Sequence, residues 1–98
     1  MNLYHLRYFI ELVHTRHYTK AAARLGITQP SLSHAISQLE NELGVPLFER
    51  SGRNTSLTRF GEEFLAYAEN SLSILDNGIE SLKHSARGNG LIRLGFLR

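Results

Sequence analysis

The chain has 98 residues, 42% hydrophobic and 20% charged, with no cysteine and a formal charge of +2. That leaves room for one small domain with an appendage, not for a two-domain enzyme with a deep cleft. Disulfides, cysteine-ligated zinc and thiol catalysis are excluded, no apolar run approaches the roughly 20 residues a bilayer demands, and the N-terminus lacks a secretory pattern.

The absence of cysteine fits a reducing cytoplasm. Charge is unevenly placed. Residues 1–58 carry six Lys/Arg against four acids, and residues 59–98 carry five of each. A mildly basic head on a neutral remainder points to an anionic partner, though many soluble surfaces share this balance.

Leu3, Leu6, Phe9, Ile10 and Val13 recur at helical spacing and predict a first helix from about Leu3 to His14. Thr19 is the expected N-cap of a short second helix, Lys20 to Leu25, with Gly26 as its left-handed stop. Thr28 is expected to cap a third helix, whose Pro30 falls in the first turn, where a missing N–H costs nothing. Leu32, Ile36, Leu39 and Leu43 line one face of this helix and Gly44 ends it. Val45 to Arg50 and Thr55 to Thr58, around a Ser51-Gly52-Arg53-Asn54 turn, read as a small hairpin.

Thr58 is the next N-cap candidate. From there a long helix is expected to run to about Arg87. Phe60, Phe64 and Tyr67 would pack on the head. Leu65, Ala68, Leu72, Leu75, Ile79, Leu82 and Ala86 alternate by three and four, the pattern of a dimer seam. The alternative is that this stripe packs on its own domain, but a head of this size looks too small to cover it. Gly88-Asn89-Gly90 is expected to break the helix, and Leu91 to Leu97 reads as a lone strand with no partner.

The segment from Thr19 to Leu39 carries the functional signal. A small residue (Ala22), a turn glycine (Gly26) and an apolar residue (Leu32) at these spacings fit a helix-turn-helix. The outer face of the third helix offers Gln29, Ser31, Ser33, His34, Ser37 and Gln38, all hydrogen-bonding and none acidic. Its first turn would enter a major groove, where Gln29 suits an adenine edge and Ser33 and His34 suit base acceptors or phosphates. An ordinary surface helix would more often carry Glu and Lys there. Arg50 and Arg53 bracket the hairpin turn, where a wing can reach the backbone or minor groove.

Ala21 to Ser33, with Ile36, Leu39-Glu40, Leu43-Gly44, Leu47-Phe48-Glu49-Arg50, Leu57-Thr58 and Gly61, closely resembles the LysR-type transcriptional regulators of bacteria. The resemblance implies a mainly α fold: a winged helix-turn-helix over residues 1–58, a linker and dimerisation helix over 59–87, and over 88–98 a hinge and first strand of an effector-binding domain. It places DNA contacts on Thr28, Gln29, Pro30, Ser31, Ser33, His34, Arg50 and Arg53. His34 stands where the family often has arginine, and Arg59 where it often has proline. The implied partners are double-stranded DNA bearing an interrupted inverted repeat, a second copy of the chain, a tetramer in the intact regulator, RNA polymerase, and a small-molecule effector bound only by the C-terminal domain.

Competing functions find little support. His14 and His17 sit three apart without an evident third metal ligand. No Ser/His/Asp arrangement or glycine-rich phosphate loop marks an enzyme, so neither catalysis nor a cofactor is expected. An architectural DNA protein, or a winged helix used only for protein contacts, is the remaining alternative.

Overall fold

The computed structural model describes residues 1–89. Its elements are α1 (Leu3–Thr15), α2 (Tyr18–Leu25), α3 (Gln29–Leu43), β1 (Phe48–Ser51), β2 (Asn54–Leu57) and α4 (Arg59–Asn89). The mainly helical winged fold expected from the sequence is observed.

α1 begins where Asn2 Oδ1 accepts a hydrogen bond from the His5 N–H at 2.9 Å. It ends at Arg16, which takes the left-handed conformation at φ 60° and donates its N–H to Leu12 O. The chain then enters α2 earlier than expected. The N-cap is His17, not Thr19: its Nδ1 accepts from the Lys20 N–H at 3.3 Å, and Thr19 lies inside the first turn. An unprotonated imidazole nitrogen serves here as the acceptor that Ser, Thr, Asp or Asn usually supply.

Gly26 and Gly44 close α2 and α3 at φ 73° and 77°, a region that suits glycine because it has no Cβ. Thr28 caps α3, its Oγ1 accepting from Ser31 N–H at 3.2 Å.

The wing is tighter than the sequence suggested. Ser51 pairs with Asn54, so the turn is Gly52-Arg53 alone, and Val45, Pro46 and Thr58 lie outside the strands. Gly52 has φ 65° while Arg53 does not have positive φ, the pattern of a type II′ hairpin.

The core gathers Phe9 and Leu12 from α1, Ala21 and Ala22 from α2, Leu32, Ile36 and Leu39 from α3, Leu47 before the wing, and Ala68 from α4. Ala22 and Leu32 occupy the contact positions expected of the helix-turn-helix.

α4 starts at Thr58, whose Oγ1 accepts from Gly61 N–H at 3.0 Å while donating to Pro46 O at 2.6 Å. Arg7 bonds Asp76 at 3.1 Å and His14 faces Glu69 at 4.0 Å, so α4 runs back along α1. This packing corrects the reading of its stripes. Ala68 is in the domain's own core with Leu65 packed against it, and Leu72 is buried in the same chain. Of the aromatic trio, Phe64 packs inward, while Phe60 and Tyr67 are exposed. The helix also continues through Gly88 and Asn89 rather than breaking there. The expected strand at Leu91 to Leu97 lies outside the described residues.

Two stability predictions follow from this packing. A Cβ on Gly61 would collide with the Leu47 carbonyl oxygen and come within 2.7 Å of Leu57 Cδ2. Gly61→Ala should therefore destabilise the fold by about 1–3 kcal/mol in urea titration. Burial, then the nearby Glu40 carboxylate, raises the Tyr18 phenol above its usual value of 10.0. A raised phenol favours the neutral form in the folded state, so its contribution is present below about pH 10 and lost as pH rises through the folded value. Urea midpoints should fall in that alkaline range for the native chain and fall less for Tyr18→Phe.

Candidate nucleic-acid interface

α3 separates two kinds of residue by its period. Leu32, Ala35, Ile36 and Leu39 face the core. Gln29, Pro30, Ser31, His34, Ser37 and Gln38 are exposed, as is the capping Thr28, and Ser33 is half-buried at the edge of the face. The expected contact residues of α3 therefore share one surface. Two of them already have local bonds: Thr28 Oγ1 donates to Ser31 Oγ at 2.8 Å, so the Ser31 hydroxyl proton remains the freer donor.

The face is electrostatically suited to an anion. It begins at the positive end of the α3 dipole and has no acid in its first turn. The helix's own acids are placed elsewhere. Glu40 turns toward the backbone before the wing, accepting from Leu47 N–H at 2.7 Å. Glu42 pairs with the amino group of Met1.

The five arginines of the head divide between the fold and the wing. Arg24 pairs with Glu11 at 2.8 Å and Arg7 with Asp76, both serving the fold. Arg16 directs its Nε toward Thr55 O at 3.5 Å. Arg50 and Arg53 are exposed on the wing and form no salt bridge among the described residues. Arg53 occupies the hairpin tip.

Between the start of α2 and the wing lies an open cleft lined by His17, Thr19, Glu49, Arg50, Arg53 and Asn54, among others. Sequence reading missed the α2 side of this cleft because it placed the helix start two residues too late. Arg16 takes the left-handed conformation between α1 and α2, a backbone choice that its residue type does not announce. Glu49 makes the cleft less uniformly basic than its arginines alone would suggest.

The wing is held from below by Thr55, the one buried polar side chain among the described residues. Its N–H donates to Arg16 O at 3.0 Å and its hydroxyl to Glu49 O at 3.1 Å. The hairpin is thus tied to the end of α1 through backbone as well as side chains.

The second candidate surface is α4 beyond the head. Tyr67, Ile74 and Leu82 are 63%, 72% and 73% exposed, and Leu75 and Ile79 are 37% and 39% exposed. Of the expected seam, Leu75, Ile79 and Leu82 are thus available to another chain, whereas Ala68 and Leu72 are buried and Leu65 is half-buried in their own. Periodicity alone could not divide the two sets, because α1 lies on a stripe whose spacing continues unchanged past its end. Ile74, which lies off the a/d pattern, was missed for the same reason.

No group of three His, Asp or Glu able to hold a metal occurs among the described residues. His14 is drawn to Glu69 and His17 to the α2 cap, so the two imidazoles serve different contacts. No helix of the described residues is long and apolar enough to cross a membrane.

A family model described as "Bacterial regulatory helix-turn-helix protein, lysR family" matches residues 3–62. The HTH-type transcriptional regulator AlsR of Bacillus subtilis is 46% identical over 98 residues, covering 99% of this chain and 32% of AlsR. BudR of Klebsiella aerogenes is 45% identical over 97 residues, covering 98% of this chain and 68% of BudR. The chain thus spans about a third of one relative and two thirds of the other.

Among solved structures, the BenM DNA-binding domain in complex with catB site 1 DNA matches with TM-score 0.86 and 44% identity, over 91% of this chain and 96% of that one. The CbnR DNA-binding domain–DNA complex matches with TM-score 0.82 and 34% identity, over 88% and 99%. The chain belongs to the LysR family of bacterial regulatory helix-turn-helix proteins, and its fold is that of their winged helix-turn-helix DNA-binding domains.

Proposed function

We propose that the chain is the DNA-binding and dimerising part of a LysR-type transcriptional regulator, recognising an interrupted inverted repeat as a homodimer in the cytoplasm. The observation that carries this reading is the acid-free first turn of α3, set beside a wing whose two arginines are exposed. The likeness to BenM and CbnR domains solved on DNA supports the same orientation.

In this reading α3 enters the major groove by its first turns. Gln29 bonds an adenine edge through its amide, and Ser33 and His34 reach base acceptors or phosphates. Thr28, Pro30 and Ser31 approach the backbone at the helix start, and Ser37 and Gln38 extend the polar face one turn further. His34 is a shorter donor than arginine, which weakens any guanine contact there. Arg50 and Arg53 lie along the backbone and adjacent minor groove. The protein binds; it does not catalyse.

Dimerisation is assigned to the exposed part of α4: Ile74, Leu75, Ile79 and Leu82. Effector binding, tetramer assembly and any contact with RNA polymerase belong, in this reading, to further sequence of a regulator of this type, since reading head, wing and seam occupy residues 1–87.

Three measurements test the reading. Gln29→Ala should cost about 1–3 kcal/mol in operator binding and relax preference at one base pair per half-site, read by selection from random DNA. Arg53→Ala should weaken binding of all sequences and lower the slope of log affinity against log salt by about one. Ile74→Glu puts a charge into the seam without touching the head. It should shift sedimentation toward monomer and abolish the advantage of an inverted repeat over a single half-site; an unaltered dimer places the interface elsewhere. An architectural protein would bind repeat and random DNA equally at every salt concentration.

A further inference from the structure

Resting on that reading, we propose that Glu40 is a positioning residue for DNA recognition: it fixes the angle between the reading helix and the wing without touching DNA. Glu40 lies about three turns beyond Gln29 on α3, half-buried. One of its oxygens, Oε2, accepts two backbone hydrogen bonds, from Leu47 N–H at 2.7 Å and Phe48 N–H at 3.2 Å. Those amides are the entrance to β1, so a side chain of the reading helix grips the wing at its root.

The grip is completed from the other side. Leu47 O accepts from Thr58 N–H at 2.9 Å, and the Leu47 side chain is fully buried. The Leu47 backbone is thereby fixed to α3 through its N–H and to the start of α4 through its carbonyl. A two-stranded hairpin has little rigidity of its own, so its direction is set by its anchors.

The anchor acts through a lever. From Phe48 along β1 to the Gly52-Arg53 turn the hairpin spans roughly 13 Å, so a tilt of about 10° at the root moves the tip by roughly 2 Å. That exceeds the tolerance of a hydrogen bond or phosphate contact. Charge assists the grip, because a carboxylate accepts more strongly than a neutral group. The tether from Thr55 to Arg16 holds β2 to α1, and Phe48 packs on Phe9 of the same helix; Glu40 bonds the root of the wing directly to α3.

The test is a double-mutant cycle joined to an orientation measurement. Residual dipolar couplings of the free protein should show the hairpin reoriented or averaged relative to α3 in Glu40→Ala and native in Glu40→Gln, whose amide oxygen can take both N–H groups. Unchanged couplings in Glu40→Ala overturn the proposal. This arm needs no DNA, so it stands even if Arg53→Ala proves silent and the wing reading fails. On operator DNA, Glu40→Ala should lose about tenfold in affinity with helix content intact, and Glu40→Gln should stay within about threefold. Arg53→Ala should cost about tenfold in the native background and less than about threefold in Glu40→Ala. Equal costs in both backgrounds would mean that Glu40 only stabilises the fold, and would overturn the proposal. Should Glu40→Ala not fold, Glu40→Asp, one methylene too short to reach both amides, carries the same couplings and the same cycle.

Discussion

Phe9 is the residue on which the separate parts of this domain converge. It is fully buried, and its ring meets Phe48 of the wing at 5.4 Å and Phe64 of α4 at 5.2 Å, the latter edge-on. Tilted and edge-to-face pairs of this kind contribute about 0.5–1.5 kcal/mol each beyond the area they bury. More important is what they join: α1, the hairpin and the linker helix share one packed centre. The helix-turn-helix closes over it through Ala22, Leu32 and Ile36, so the polar face of α3 is oriented against the same ring that seats the wing.

The polar tethers refine what this centre holds. Thr55 fastens β2 to the end of α1, Thr58 ties the segment before the wing to the first turn of α4, and Glu40 joins α3 to the root of β1. Thr58 and Glu40 do so through half-buried side chains and Thr55 through its backbone N–H, each satisfying backbone groups that a two-residue turn and a short hairpin leave unpaired. The result is a surface whose α3 and wing portions are positioned by the same interior, as recognition of an extended rigid ligand requires.

Much of this was legible in the sequence because local chemistry and global fold agree. Thr28, Pro30 and Gly44 mark the ends of α3, and Gly26 the end of α2, by backbone rules alone, and the polar face of α3 follows from the helical period. What was not legible depends on tertiary contact. Histidine is not a usual N-cap, so His17 was passed over for Thr19. The hairpin register rests on the positive φ of Gly52, which composition does not reveal. The apolar stripe of α4 is continuous in sequence, but only its later part is open to a partner, because α1 covers Ala68 and Leu72. The Glu40 contact joins residues seven and eight apart through a backbone path that no spacing rule describes.

In the function proposed here, α3 reads a major groove while the wing flanks it, twice per site, about a two-fold axis. Footprinting on a fragment selected for tight binding, with probes of both grooves, addresses it most directly. Two protected major-groove patches related by a dyad are expected, each flanked by protection of the adjoining backbone or minor groove. Uniform protection along the duplex, without a dyad and without groove preference, would contradict it.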